Sequence, residues 1–227
     1  MKREIVYFAI YIVFAFNLTA EDLIAEKTRI IYESFQDFRG TFQTIPCGFS
    51  VSWDGQNNST NNTDFLGVHS GGVRTGGCYA WLVNQTNYVL GCQPTSDKFS
   101  PGYFEISIVN KTGNPVESAE IAYEVWFYND ADRACSLEAL VCWNEGEFVG
   151  IQGSRVVTPV QIVQPVMWQK VEKQLQIKFR PALRNNERIR LRWVIDDAGG
   201  SGSRDEIGID NVRIKLMPPS GLVISIQ

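Results

Sequence analysis

Acidic residues carry most of the chemistry this chain could perform. Asp196, Asp197, Asp205 and Glu206 bracket the glycine–serine loop of LRWVIDDAGGSGSRDEIGIDNVRI, Leu191 to Ile214. Paired carboxylates can act as acid and base at a glycosidic bond, but adjacent strand residues point to opposite faces. Asp196 and Asp197 therefore cannot flank one bond while the strand continues. Glu33, Asp37 and Asp210 come from segments far apart in the chain and offer the hard oxygen ligands that calcium takes. A structural calcium pinning strand ends is thus the one cofactor these residues suggest. The plainer alternative is a solvated acidic hairpin in which Asp205 pairs with Arg204 and Asp210 anchors a strand end. The single histidine, His69, sits beside Ser70 and two glycines. A triad needs an orienting carboxylate brought to it, and zinc needs more histidine or a Cys-x2-Cys pair. No catalytic residues are expected, and the chain is not read as an enzyme.

Two groups of residues suit ligand binding better. Trp126 and Tyr128 lie on the side of a strand opposite Ile121, Tyr123, Val125 and Phe127, where aromatic rings can stack on a sugar or a protein partner. If both faces of the sheet are covered, the same rings are simply core. Arg188, Arg190 and Arg192 alternate with Ile189, Leu191 and Trp193 and form a basic row, with Lys178 and Arg180 as candidate neighbours. Such a row can grip an acidic polysaccharide. Outward charges are also an ordinary device for keeping strands soluble and unpaired.

Strands must position all of these side chains. Apolar residues recur with period two at Ile121 to Phe127, Leu137 to Trp143, Leu175 to Phe179 and Ile189 to Ile195. Turn signals separate them at Ser100–Gly102, Lys111–Asn114, Asn129–Asp130, Asn144–Gly146, Asn185–Asn186 and Gly199–Gly202. Roughly ten short strands predict an all-β, two-sheet antiparallel sandwich of jelly-roll type. At most a short helix opens the chain near Glu21. The expected organisation is a leader over 1–20, one sandwich domain over 21–216 and a tail over 217–227, in which Leu222–Ile226 could add an edge strand.

The N-terminus and the sequons point outside the cell. Lys2 and Arg3 precede an apolar run from Ile5 to Phe16, and Ala20 offers a cleavage site. That run is shorter than the ~20 residues a spanning helix needs, so no membrane span is expected after cleavage. Asn57, Asn58, Asn61, Asn84 and Asn110 each head an Asn-X-Ser/Thr sequon, while Asn17 would leave with the leader. A formal charge of −4 argues against a nucleic-acid partner. Five cysteines, Cys47, Cys78, Cys92, Cys135 and Cys142, should mostly pair in an oxidising compartment. Cys135 and Cys142 bracket a strand that holds them roughly 20 Å apart, whereas Cys78 and Cys92 flank a turn and could form a hairpin bridge. The odd cysteine would join a second chain or remain a buried thiol.

Two stretches carry family resemblances. VLGCQPTSDKFSPGYFEISIVNKTG, Val89 to Gly113, resembles a β-sandwich domain of secreted, multidomain bacterial proteins, and Ile121–Trp143 with Gly200–Ile214 continues the likeness. GSGSRDEIGIDNVRI is similar to the close of MAM domains, and Tyr32–Phe35 with Cys47-Gly48-Phe49 to their opening, although Ile31 and Tyr32 stand where a MAM cysteine is expected. The resemblances imply a secreted sandwich architecture, and the function expected of such a domain is non-catalytic binding of carbohydrate or protein ligands outside the cell, in the manner of an adhesion or lectin-like module. A structural component of an extracellular or skeletal organic matrix, with a disulfide-linked partner, is the alternative.

Overall fold

The alternating runs fold as strands, and each buries the face that its alternation dictates. Ile189, Leu191, Trp193 and Ile195 are all at most 1% exposed, while the residues between them face outward. The computed structural model describes residues 23–25, 30–53, 56–57 and 64–219. The leader, Asn58, Asn61 and the 222–226 segment lie outside the described residues.

The strands are β1 (Leu23–Ala25), β2 (Ile30–Glu33), β3 (Phe49–Trp53), β4 (Gln56–Asn57), β5 (Phe65–His69), β6 (Gly77–Val83), β7 (Asn87–Gln93) and β8 (Gly102–Asn110). They continue as β9 (Val116–Tyr128), β10 (Arg133–Trp143), β11 (Val149–Gly150), β12 (Val156–Val157), β13 (Trp168–Leu183), β14 (Arg188–Gly200) and β15 (Glu206–Met217). One sheet runs β11-β10-β14-β8-β3-β4, with β1 on β8 and β12 on β10. It is called the arginine sheet below. The other, the aromatic sheet, runs β13-β9-β15-β7-β6-β5, with β2 on β15. Pairing is antiparallel except for β1 with β8 and β5 with β6. The all-β two-sheet sandwich read from the sequence is the observed fold. Near the start, Leu23–Ala25 and Ile30–Glu33 are strands, the second as the β-branched Ile30 and Ile31 favour, while Glu21 lies outside the described residues.

The inner faces meet around Trp193. Its ring lies near-parallel to Phe49 of its own sheet, 6.2 Å between centroids, and edge-on to Tyr123 of the facing sheet at 5.6 Å. Phe104, Ile106, Ile121, Val125, Ile207 and Ile209 complete this central layer.

The Leu191–Ile214 stretch is not a closing hairpin. Its first strand, β14, pairs with β10 and β8, and its second, β15, pairs with β9, β7 and β2 in the other sheet. Residues 201–205 therefore carry the chain across the sandwich. Alternation fixes which face of a strand is buried but not which sheet the strand joins.

The cysteines also depart from expectation, since all five are free thiols. Cys78 and Cys92 do stand directly opposite each other on β6 and β7. Both, with Cys135, are fully buried in the main core, and burial pushes their thiols well up. They pack as small hydrophobic side chains. The Cys142 thiol instead approaches the Gly146 carbonyl at 2.9 Å. Neither the hairpin bridge nor a disulfide-linked partner finds support in this arrangement.

One glycine is fixed by packing. A Cβ at Gly91 would lie 2.1 Å from the Trp81 ring and 2.7 Å from the Ile207 carbonyl oxygen. The bare backbone lets the Trp81 indole cross β7 and donate its Nε1–H to that same oxygen at 3.2 Å. Gly91→Ala is expected to destabilise the fold by roughly 1–3 kcal/mol, the usual cost of overpacking. Urea unfolding would check this, and an unchanged midpoint would contradict the crossing geometry.

Candidate functional site

On the outer face of the arginine sheet, β14 presents Arg188, Arg190 and Arg192, the even partners of its buried odd residues. Register sets Arg192 opposite Glu105 of β8 and Arg190 opposite Ser107, with Leu140 and Cys142 of β10 on the other side. The Arg192 guanidinium is held between two rings, 3.6 Å from the Tyr103 centroid and 3.8 Å from that of Phe148. Glu105 binds its edge, through Nε at 2.8 Å and through Nη2 at 2.7 Å. Arg192 is thereby fixed, with its Nε/Nη2 edge occupied by the one Glu105 oxygen.

Arg190 differs. It lies over Phe148 at 4.9 Å, approaches Glu105 only to 4.0 Å, and donates Nη2 to the Cys142 sulfur at 3.5 Å. A thiol is a weak acceptor, so much of this guanidinium edge is not committed to a strong partner. Exposed Arg188 continues the row on the same face. A separate recess of about 350 Å³ between Trp143, Glu147, Val149 and Pro181 reaches toward the other sheet and is lined by none of the three arginines. The strip combines oriented cations with aromatic walls, a combination suited to an anionic, hydroxylated ligand.

Trp126 and Tyr128 lie on the opposite side of the molecule, on the outer face of the aromatic sheet. The structure does not bring them together with the arginines. Trp126 is only 7% exposed and packs with Tyr79, Trp81, Val83 and Val89. Leu66, Val73 and Trp168 cover the cluster, and Lys170 sits 5.8 Å above the Trp126 ring. Tyr128 contacts Trp168 at 5.3 Å, beneath a loop held by the Trp168 Nε1–H donated to the Ser70 carbonyl at 2.7 Å. These rings form a second, smaller core, as the alternative of a sheet covered on both faces implied. Lys178 and Arg180 belong to β13 of this same sheet, not alongside the arginine row.

The acids are distributed differently from the sequence reading. Asp196 is exposed, whereas Asp197 receives Arg133 through two bonds and Arg204 Nε at 3.3 Å. The Arg133 bonds hold the Asp197 carboxyl down at about 2. Asp205 and Glu206 are fully buried. Among the described residues both Asp205 oxygens and Glu206 Oε2 lack a well-aligned partner, although the Thr158 hydroxyl and the Ala131 backbone lie close enough to Asp205 to favour its charged form, while Glu206 Oε1 accepts the Val73 N–H at 2.7 Å. Burial, and then the nearby Asp130 charge, raise Asp205 to about 6 and push Glu206 up as well.

The expected calcium set is not assembled. Asp210 accepts from Asn87 Nδ2 at 2.7 Å and from the Asn211 N–H at 2.7 Å, and Glu33 accepts the Phe35 N–H at 2.6 Å. Their oxygens serve the fold. Among the described residues no group of three or more His, Cys, Asp or Glu is arranged to hold a metal ion. After burial, Asp37 helps to raise the Glu33 carboxyl and Glu33 that of Asp210, so the three acids lie near one another without forming a metal-holding group. His69 is exposed, and its Nδ1 accepts the Gly71 N–H at 3.2 Å.

The sequons also separate. Asn84 is exposed in the β6–β7 turn at φ 49°, and Asn57 lies on β4. Asn110 is fully buried, and its Nδ2 donates to the carbonyls of Asn114, Leu183 and Arg184 at 2.9, 3.1 and 3.1 Å. That nitrogen is the atom a glycan would occupy, so Asn110 is a structural residue and not a glycosylation site in the folded chain.

Sequence reasoning missed Tyr103, Glu105 and Phe148. The first two carried a signal, since the GYFEISIVN alternation sets Tyr103, Glu105 and Ser107 opposite Phe104, Ile106 and Ile108. Phe148 lies in a connection after Trp143, where periodicity says nothing.

No protein-family model matches the chain, and no curated protein matches it. Among solved structures, it is similar to the K3 cleaved adhesin domain of Lys-gingipain from Porphyromonas gingivalis. That match has 11% identity, 82% of this chain, 98% of that one and a TM-score of 0.45. It is also similar to a non-crystalline cellulose specific carbohydrate-binding module, with 11% identity, 82% and 92% coverage and a TM-score of 0.43. An exo-beta-agarase matches at 10% identity and a TM-score of 0.41, over 82% of this chain and 25% of its own. Likenesses this distant carry no argument about function. Among the described residues no helix is long and apolar enough to cross a membrane.

The buried acids give the fold a definite pH response. Asp205 and Asp210 titrate at about 6 when folded, above the ordinary 3.8, and burial is the main cause in both. The folded chain binds these protons more tightly, so their contribution is complete below the unfolded value and is lost as pH rises through about 6. The Asp197 contribution has the opposite sign and is lost as pH falls from 3.8 toward about 2. Thermal unfolding should give a higher Tm near pH 5 than at pH 8, with a smaller difference in Asp205→Asn. A Tm that rises from pH 5 to pH 8 would contradict this.

Proposed function

We propose that this chain is a secreted, non-catalytic sandwich module that binds acidic carbohydrate through the outer face of its arginine sheet. The observation that carries the reading is the contrast between Arg192 and Arg190. Glu105 and two rings immobilise Arg192, and it stiffens the strip. Arg190 rests against Phe148 with its nitrogens 4.0 Å from the nearest carboxylate, and its planar edge suits a carboxylate or sulfate. Arg188 extends the contact along the strand, and Tyr103 and Phe148 offer carbon-rich ring edges to a sugar.

Binding to polygalacturonate and chondroitin sulfate, against a neutral glucan, tests this by calorimetry. Arg190→Gln should weaken the acidic ligand at least about tenfold, roughly 1.4 kcal/mol. Added salt should weaken it further, because the contacts are exposed. Equal affinity in the variant, or preference for the neutral glucan, would reject the reading.

The leader pattern and the exposed Asn84 sequon support secretion. Mass spectrometry of the protein passed through a secretory pathway should find glycan on Asn84 and none on Asn110. A glycan on Asn110 would contradict its buried amide network.

A further inference from the structure

A second cationic site lies at one end of the sandwich, away from the arginine strip. A recess of about 320 Å³ is lined by Arg74, Arg133 and Arg204 together with Thr95, Ser96 and Ser203. The three guanidiniums come from three separate segments: the β5–β6 connection, the first residue of β10 and the crossover between β14 and β15. Two carboxylates orient them. Asp130 receives Arg74 Nη1 at 3.1 and 3.0 Å, and Asp197 receives Arg133 Nε at 2.9 Å and Arg204 Nε at 3.3 Å.

Arg204 is the telling residue. Its side chain is only 7% exposed, and among the described residues its one side-chain bond uses Nε, to Asp197. Gln93 fixes the backbone beneath it by donating to the Arg204 carbonyl at 2.8 Å. A largely buried guanidinium that lines a recess with its outer N–H groups is a preformed donor set for an oxyanion. The recess is at the low end of the small-ligand range, suited to one sugar ring and not to a chain of them.

We infer that this recess binds the oxyanion of a small hydroxylated ligand, a carboxylate or sulfate on a single sugar ring. The three arginines take the charge, and Thr95, Ser96 and Ser203 supply hydroxyls for the ring. None of the arginine-strip residues lines the recess, so the two sites can fail separately.

Amide-resolved NMR titration of the whole chain tests this, with sodium glucuronate, sodium sulfate and glucose as probes against sodium chloride at matched ionic strength. Glucuronate should give saturable shifts at Thr95, Ser96 and Gly202 to Arg204, with sulfate about tenfold weaker and glucose inert. Equal binding of sulfate and glucuronate would keep the oxyanion site but remove the sugar ring from its ligand. Arg204→Gln should abolish the shifts. Arg74→Gln, at an exposed rim position, should weaken them several-fold and decides the matter if the buried variant fails to fold. Arg190→Gln should leave them unchanged. Absence of saturable shifts with both anions, or shifts that persist in Arg74→Gln and Arg204→Gln, would overturn the inference.

Discussion

The packing of Trp193 between Phe49 and Tyr123 sets which way every residue of β14 faces. Because strand side chains alternate, burying Trp193 with Ile189, Leu191 and Ile195 leaves Arg188, Arg190 and Arg192 on the outer face. A slip of one residue would bury three arginines and expose a tryptophan, so the register is strongly specified. The cationic strip is thus a direct consequence of the core, held in place by pairing with β8 on one side and β10 on the other.

The two outer faces of the sandwich are treated differently. On the aromatic sheet, Val73 and Trp168 cover Trp126 and its neighbours, and the overlying loop is tied by Ser70 to Trp168 and by Val73 to Glu206. On the arginine sheet the corresponding area carries Glu105, Tyr103 and Phe148 around two guanidiniums, with aromatic walls. A face closed by its own loop offers little to a ligand, while a face with oriented donors offers much. The ends of the sandwich add a third environment, where Asp130 and Asp197 hold arginines from distant segments around a recess.

Much of the fold was legible in the sequence because period-two burial follows from strand geometry alone. The 188–195 and 121–127 runs bury the predicted faces. Sheet membership was not legible: nothing in Gly199–Asp205 distinguishes a hairpin turn from a crossing between sheets. The aromatic candidates were ambiguous for a related reason, since Trp126 looks outward by alternation and is buried because Leu66 and Val73 from a distant segment, with Trp168, pack over its cluster. Asn110 shows the limit of a motif. Its sequon is intact, yet the amide ties together the loops at 114 and 183–184. The basic row was readable, but the division of labour within it was not, because Glu105 and Phe148 reach Arg192 from elsewhere in the chain.

The most direct measurement is a footprint of the bound glycan, by hydrogen exchange and cross-saturation NMR on the chain with and without an acidic oligosaccharide. Protection and saturation transfer should fall on Tyr103, Phe148, Arg188 and Arg190, and spare Trp126, Tyr128 and Trp168. A footprint on those three aromatic residues, with the arginine strip unprotected, would contradict the assignment of the ligand-binding face.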